Sequence, residues 1–301
     1  VVICLDLSTG ETLWKFSTIG SPNGRTASST PSVVDGVCVA LLSRGVYAMD
    51  PETGEEQWRW EFDTKKGVAC SPAVGDGVVM VNVGELVALE ARSGRELWRS
   101  AALKSAHSSP VIWKDMVLWQ GAKEFVGLSL GDGSVRWRHK GGGDASPVIS
   151  GDTCVLVSKS EDHSLSGFRL SPEGARRIWE YGFLSRRYGS SPLIHEGHLY
   201  HLGSARHLCL DLSSGEVKWE VDRVSNLSSP ILVGDRILSF ENNGGYVSVI
   251  RATPEGHEIE GRTRIGALGS SSASMDESLY VVRQKDRVVC FDWSQRAGQD
   301  G

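Results

Sequence analysis

No apolar run in this 301-residue chain reaches the roughly 18 residues that a membrane-crossing helix needs. No stretch carries a helical period of apolar residues. Basic charge is not in excess: 32 Lys and Arg stand against 37 Asp and Glu, for a formal net charge of -5. That removes the electrostatic footprint of a nucleic-acid binder. The six cysteines stand singly at positions 4, 38, 70, 154, 209 and 290, with no adjacent pair and no C-x-x-C. A disulfide framework is not expected from that pattern in so long a chain, and the cysteines read as small buried apolar residues. A G-x-S-x-G nucleophile elbow is missing. Gly141–Gly143 with Asp144 is glycine-rich, but neither a Lys nor a helix follows, so it reads as a flexible connector rather than a phosphate loop. No secretory leader opens the chain, and Val1 falls inside a repeat, so a longer parent is expected.

What the chain does have is one sentence written over and over. It runs CLDLSTGETLW from Cys4 to Trp14, AMDPETGEEQW from Ala48 to Trp58, ALEARSGRELW from Ala88 to Trp98, GLSLGDGSVRW from Gly127 to Trp137 and CLDLSSGEVKW from Cys209 to Trp219. Looser copies run from Gly167 to Trp179 and from Val249 to Ile259, and a last one opens at Cys290. The starts at 4, 48, 88, 127, 167, 209, 249 and 290 give a period close to 40, which is the spacing of a repeat architecture. Ahead of the Trp copies sits a second motif, as in TPSVVDGVCVA from Thr30 and SPAVGDGVVMV from Ser71, with SSASMDESLYV from Ser271 as its weakest version. Each motif is two short β-rich runs around a tight turn, a hairpin signal. One unit is therefore four antiparallel strands, A to D, in about 40 residues. The Pro after Ser or Thr belongs at the first residue of strand A, where a missing N–H is tolerated.

The expected fold is all-β, a β-propeller of four-stranded antiparallel blades. The whole chain, 1–301, is expected to form a single propeller, with repeats near 1–18, 29–62, 70–101, 108–140, 145–182, 190–222, 228–262 and 270–293. The N-terminal blade is incomplete, holding only C and D, and the C-terminal one holds A, B and C. Counting strands favours an eight-bladed parent, with seven-bladed closure as the alternative. The repeat residues Asp6, Thr9, Gly10, Trp14, Asp50, Thr53, Gly54, Trp58, Gly94, Trp98, Gly133, Trp137, Trp179, Asp211, Ser214 with Gly215, and Trp219 read as structural, the Trp side chains as packing between blades.

The pattern A-x-D-x-x-T-G-x-x-x-W after S-P-x-V-x-x-G-x-V resembles the pyrroloquinoline-quinone (PQQ), or tryptophan-docking, propeller repeat. Ala48, Asp50, Thr53, Gly54 and Trp58 match it in full. The resemblance implies the fold but leaves the function open. One branch of that family holds quinone- and calcium-dependent dehydrogenases of the periplasm, which carry an adjacent Cys pair and a Glu, Asn and Asp set around calcium. The other is non-enzymatic and resembles the outer-membrane barrel-assembly scaffold BamB. This chain lacks the Cys pair. Its oxygen ligands, such as Asp162 or Glu241 with Asn242 and Asn243, are single loop residues on different blades. The expectation is therefore a non-catalytic, extracytoplasmic protein–protein scaffold without catalytic, cofactor or metal residues. A dehydrogenase using PQQ and calcium, or the sensor domain of a larger kinase-fused chain, are the alternatives.

The densest group of possible metal ligands is His195, His198, His201 and His207. No carboxylate or Cys completes the set, so these read as surface or packing histidines. The serines of the Ser-Pro motif and of Ser270–Ser272 recur at one slot and read as structural. A–B and C–D turns are short and regular. B–C and D–A connections vary: Ser21–Ser29 with Arg25, Lys65 with Lys66, Lys159–His163, Leu184–Gly189 with Arg186 and Arg187, and Glu241–Gly245. A protein partner is expected on that variable end, with Arg25, Lys65, Lys66, Arg186 and Arg187 as contacts.

Overall fold

The computed structural model describes residues 1–19, 29–42, 44–62, 70–100, 108–121, 123–143, 145–158, 164–182, 190–203, 206–222, 229–241, 245–266, 272–274, 279–283 and 287–292. Every element among them is a β-strand, and the 29 strands form eight antiparallel sheets. Sheet one has two strands, sheets two to seven have four each in the order A-B-C-D, and sheet eight has three. This is the all-β propeller architecture, with one repeat per sheet and the expected short first and last sheets. The chain divides into two compact units, Val1–Pro147 with Leu170–Ala175, and Val148–Arg169 with Arg176–Gly301. Sheets one to four lie in the first. Sheets five to eight lie in the second, apart from the turn segment 170–175.

The A–B turns follow from their two residues. Asp35–Gly36, Asp76–Gly77 and Glu196–Gly197 all have positive φ at both positions, as a type I′ hairpin turn requires, so its twist matches that of the strands. The prolines 31, 72, 110, 147, 192 and 230 each stand immediately before strand A, one residue earlier than expected, where no ladder hydrogen bond is lost. The residue ahead of each Pro links neighbours. Thr30 N donates to Ser71 Oγ at 3.0 Å, Ser71 N to Ser109 Oγ at 3.0 Å, Ser109 N to Ser146 Oγ at 3.0 Å, and Ser191 N to Ser229 Oγ at 3.1 Å. The recurring serines are thus backbone acceptors between successive sheets.

The C–D hairpin carries the Trp. In each tight copy the Trp lies opposite the small residue of strand C: Cys4, Ala48, Ala88, Gly127 and Cys209 pair with Trp14, Trp58, Trp98, Trp137 and Trp219. The slot is small because the ring lies over it. A Cβ on Gly127 would meet Trp137 at 2.3 Å, and one on Gly167 would meet Trp179 at 2.2 Å. The far edge of the ring docks on the next sheet. Trp58 Nε1 donates to Ala91 O at 2.9 Å, Trp98 Nε1 to Leu130 O at 2.8 Å, and Trp179 Nε1 to Leu212 O at 2.8 Å. Trp14 and Trp219 do the same to Pro51 O and Thr253 O, at 2.9 and 2.8 Å. The turn glycine serves both needs. Gly94 has φ +69°, and a Cβ there would lie 2.3 Å from Trp58. Gly54, Gly133 and Gly215 repeat this against Trp14, Trp98 and Trp179. Trp137 departs: its Nε1 is buried with no acceptor, and Gly174 in the looser fifth copy has nothing within 4 Å.

Within each unit the core between successive sheets is apolar, as where Val39, Leu41 and Trp58 of sheet two meet Val79, Val81, Val87 and Leu89 of sheet three. Four cysteines, 38, 70, 154 and 209, are buried as expected, and all six are free thiols. Cys4 is half-buried and Cys290 exposed instead. Gly141–Gly143 is not a loose connector either. Gly141 N and Gly143 N donate to Lys123 O and Gly121 O, both at 3.1 Å, which ties the segment to the B–C turn of its own sheet.

Trp58→Ala should lower stability by roughly 3–5 kcal/mol. Trp58→Phe, which keeps most of the burial but loses the bond to Ala91 O, should cost about 1–2 kcal/mol. Trp137→Phe should cost less than Trp58→Phe, because its indole N–H has no acceptor. Urea midpoints of the three variants check this, and equal losses for the two Phe variants would show that the docking bond is not the source.

Candidate interaction surface

The two ends of each sheet differ in chemistry. At the turn end, the Asp of the first, second and sixth repeats closes its own turn. Asp6 Oδ1 accepts Ser8 N at 2.9 Å and Thr9 N at 2.8 Å, and Asp50 and Asp211 repeat the arrangement. These bonds stabilise the carboxylate form. The Ser8 hydroxyl, then the Thr9 N–H, bring Asp6 down to about 2. The Ser213 hydroxyl leads the lowering at Asp211. These carboxylates are spent on local structure and are not free for catalysis.

At the B–C and D–A end, strand D ends in groups typical of protein interfaces. Half-buried Trp60 stacks on Phe62 with centroids 5.8 Å apart, and its Nε1 donates to Glu96 Oε2 at 3.2 Å. Arg99 holds Glu96 with two bonds of 2.7 Å and Glu85 at 3.4 Å. Arg138 pairs with Glu124. In sheet six, Arg206 joins Glu220 at 2.8 Å and Tyr181 Oη at 3.2 Å, and Tyr181 donates to Glu220 at 2.8 Å. In sheet seven, Arg262 Nε donates to Glu241 Oε2 at 2.9 Å, and its guanidinium lies 4.1 Å from the Tyr246 ring centroid. Arginine, tyrosine and tryptophan thus gather on the end whose connections vary most in sequence.

The sequence-based contacts Arg25, Lys65, Lys66, Arg186 and Arg187 lie outside the described residues, as do Asp162, Asn242 and Asn243. Glu241, read as a possible calcium ligand, is buried and bonded to Arg262 and Ser248. Among the described residues no group of three or more His, Cys, Asp or Glu is placed to hold a metal ion. The four histidines separate. His195 and His198 face each other across the A–B turn of sheet six. His201 is 1% exposed with neither ring nitrogen bonded, and burial alone brings it down to about 4. His207 is buried on the opposite strand face, with Nδ1 3.1 Å from Nε2 of His257. His257 also packs edge-on against Trp219, at 5.2 Å between centroids. The sequence reading missed the Glu241–Arg262–Tyr246 group. Its one legible signal was an acid at a slot filled elsewhere by Leu42, Val83, Gly121, Ser158 and Gly203.

Relatives bear on the two branches left open by the repeat. The family model of the outer membrane protein assembly factor BamB matches residues 1–59, 43–253 and 169–299, which together cover nearly the whole chain. This chain belongs to the BamB family. BamB of Yersinia pestis is 23% identical over 275 residues, covering 83% of this chain and 67% of its own. The crystal structure of BamB from Moraxella catarrhalis superposes with a TM-score of 0.77 at 18% identity, over 95% of this chain and 87% of that one. A europium-containing methanol dehydrogenase shares the fold at a TM-score of 0.70 and 12% identity, over 92% of this chain and 78% of its own. The chain spans between 36% and 67% of the length of the curated relatives it matches, most of which are BamB proteins. No helix among the described residues is long and apolar enough to cross a membrane.

His201 gives this BamB-family chain a definite acid response. The unfolded chain takes up a proton there below pH 6.5, and the folded chain resists it down to about 4. Stability is therefore complete above pH 6.5 and falls as pH drops through that window, by up to roughly 3 kcal/mol. His201→Leu should flatten the slope of unfolding free energy between pH 6.5 and 4, measured by urea titration. An unchanged slope would place the acid sensitivity elsewhere.

Proposed function

We propose that the chain is a non-catalytic scaffold that holds protein partners during outer-membrane protein assembly, outside the cytoplasm, in the periplasm or at the cell surface. The observation that carries this reading is the BamB family match along nearly the whole chain. The physical argument agrees with it. Sheets locked to their neighbours by Trp and Ser bonds make a stiff frame, and stiff frames present loops with little ordering cost on binding. The docking end proposed within each unit is its B–C and D–A end, with Trp60 and Arg99 in the first unit and Tyr181, Arg206, Tyr246 and Arg262 in the second. The loop residues Arg25, Lys65, Lys66, Arg186 and Arg187 are proposed contacts on the same end. No cofactor is assigned. The competing class, a dehydrogenase using PQQ and calcium, lacks its adjacent cysteine pair in this sequence.

The test is restoration. The native protein carrying this chain, exported in a bacterium that lacks its own BamB, should restore outer-membrane protein levels. Arg186→Ala with Arg187→Ala should cut the restored level severalfold. Normal export without restoration would overturn the scaffold reading. Dye-linked alcohol oxidation by the purified protein after adding PQQ and calcium would move it to the dehydrogenase class.

A further inference from the structure

Three arginines at the B–C and D–A end, Arg99, Arg138 and Arg206, spend their terminal nitrogens on partly exposed acids. Arg99 uses Nε, Nη1 and Nη2 on Glu96 and Glu85, whose side chains are 31% and 36% exposed. Arg138 uses Nη1 on Glu124, and Arg206 uses Nη1 and Nε on Glu220 and Asp222. Such pairs are ordinary surface pairs, worth little individually.

Arg262 is arranged the other way round. Its acid, Glu241, is only 5% exposed, and the bond to it runs through Nε, at 2.9 Å. The second carboxylate oxygen of Glu241 accepts the hydroxyl of fully buried Ser248 at 2.8 Å. Tyr246 lies against the guanidinium at 4.1 Å. Neither Nη group meets an acceptor among the described residues, although the arginine side chain is 43% exposed. The register explains the geometry. Ser248 lies opposite Arg262, and Tyr246 stands between Glu241 on one side and Arg264 on the other, so all five residues share one face of sheet seven. A buried carboxylate and a ring hold the base of the guanidinium while its outer edge is left open. Burying a charge for so little exposed pairing is costly, and the arrangement orients the arginine as a support orients a metal-binding histidine.

We infer that the open edge of Arg262, with Tyr246 beside it, is a docking point for a single carboxylate, the Asp or Glu side chain of a protein partner. A carboxylate matches the paired N–H groups of a guanidinium edge-on. Tyr246 offers an apolar wall for the methylene stem of that acid. The charge count selects a monoanion over phosphate: Arg262 and Arg264 less Glu241 leave one net positive charge on this face. The opposite end of the same sheet shows the contrast. Arg236 there is closed by Asp235 at 2.8 Å and Glu260 at 2.7 Å, and Arg251 is closed by Glu258 and Glu260.

This inference rests on the scaffold reading, and its test separates the two. Two fluorescein-labelled peptide amides, Gly-Ser-Leu-Glu-Leu-Ser-Gly and its Gln counterpart, are titrated by anisotropy at low salt. The Glu peptide should bind at least fivefold tighter than the Gln peptide, and Arg262→Gln should abolish the difference. Arg236→Gln should leave it intact. Glu241→Gln with Arg262→Gln, which leaves no buried unpaired carboxylate, serves as a second variant if the single one unfolds by circular dichroism. Equal binding of the two peptides, or discrimination surviving in the double variant, would overturn the docking point. If that happens while outer-membrane protein levels are still restored, the scaffold reading stands and its contacts lie elsewhere.

Discussion

One contact recurs between successive sheets, and most other sequence constraints follow from it: a tryptophan ring pressed between the small residue of its own strand C and the turn of the next sheet. The ring demands Gly, Ala or Cys beneath it, because a larger side chain would occupy its volume, as the 2.2 and 2.3 Å Cβ approaches at Gly167 and Gly127 show. It demands a glycine in the receiving turn, both for φ and for room. Its N–H demands a carbonyl in a fixed place, and in the turns headed by Asp50 and Asp211 the carboxylate helps to fix it by capping the following N–H groups. The motif is one interaction written out in full. Where the turn changes, as in the fifth copy, the ring stays buried at Trp137 but its hydrogen bond is lost.

That economy frees the other end of each sheet. Because turn-end acids and indole N–H groups are committed to holding the frame, chemistry at that end is already satisfied. At the B–C and D–A end, strand D emerges past its Trp, and the residues there are limited only by their cross-strand neighbours. Arginines, aromatics and acids collect there in different combinations from sheet to sheet. A frame that repeats and an end that does not are what an interaction scaffold needs. The BamB family and the quinone dehydrogenases share the frame, so the difference between them has to be written in the part that varies.

The strand count, the hairpin turns, the short first and last sheets and the structural role of the Trp, Gly and Ser slots were all legible, because each depends on contacts one repeat apart that return with the same spacing. The Gly141–Gly143 segment was misread as loose because its partners, Gly121 and Lys123, sit in a B–C turn about twenty residues earlier and carry no signature. His201 looked like any other histidine. Its isolation follows from the apolar company of a strand B interior, where one residue in a repeat changes chemistry without changing the pattern. Arg262 was invisible for a related reason: what sets it apart is which of its nitrogens is occupied, and no sequence carries that.

The serine hydroxyls have a consequence for how such a protein changes over generations. Each repeat brings one N–H donor ahead of its Pro and one hydroxyl acceptor, and passes the bond to the next. A unit copied or lost as a whole leaves no orphaned donor or acceptor at such a junction, since the same bond is made at four of them. Gene duplication can lengthen or shorten such an array without inventing a new seam, and the cost of a miscount falls on closure of the array alone. Drift in one copy is likewise contained by its two neighbours. This is how the fifth copy could lose its docking turn, and the seventh gain a histidine against its neighbour's tryptophan, without disturbing the rest.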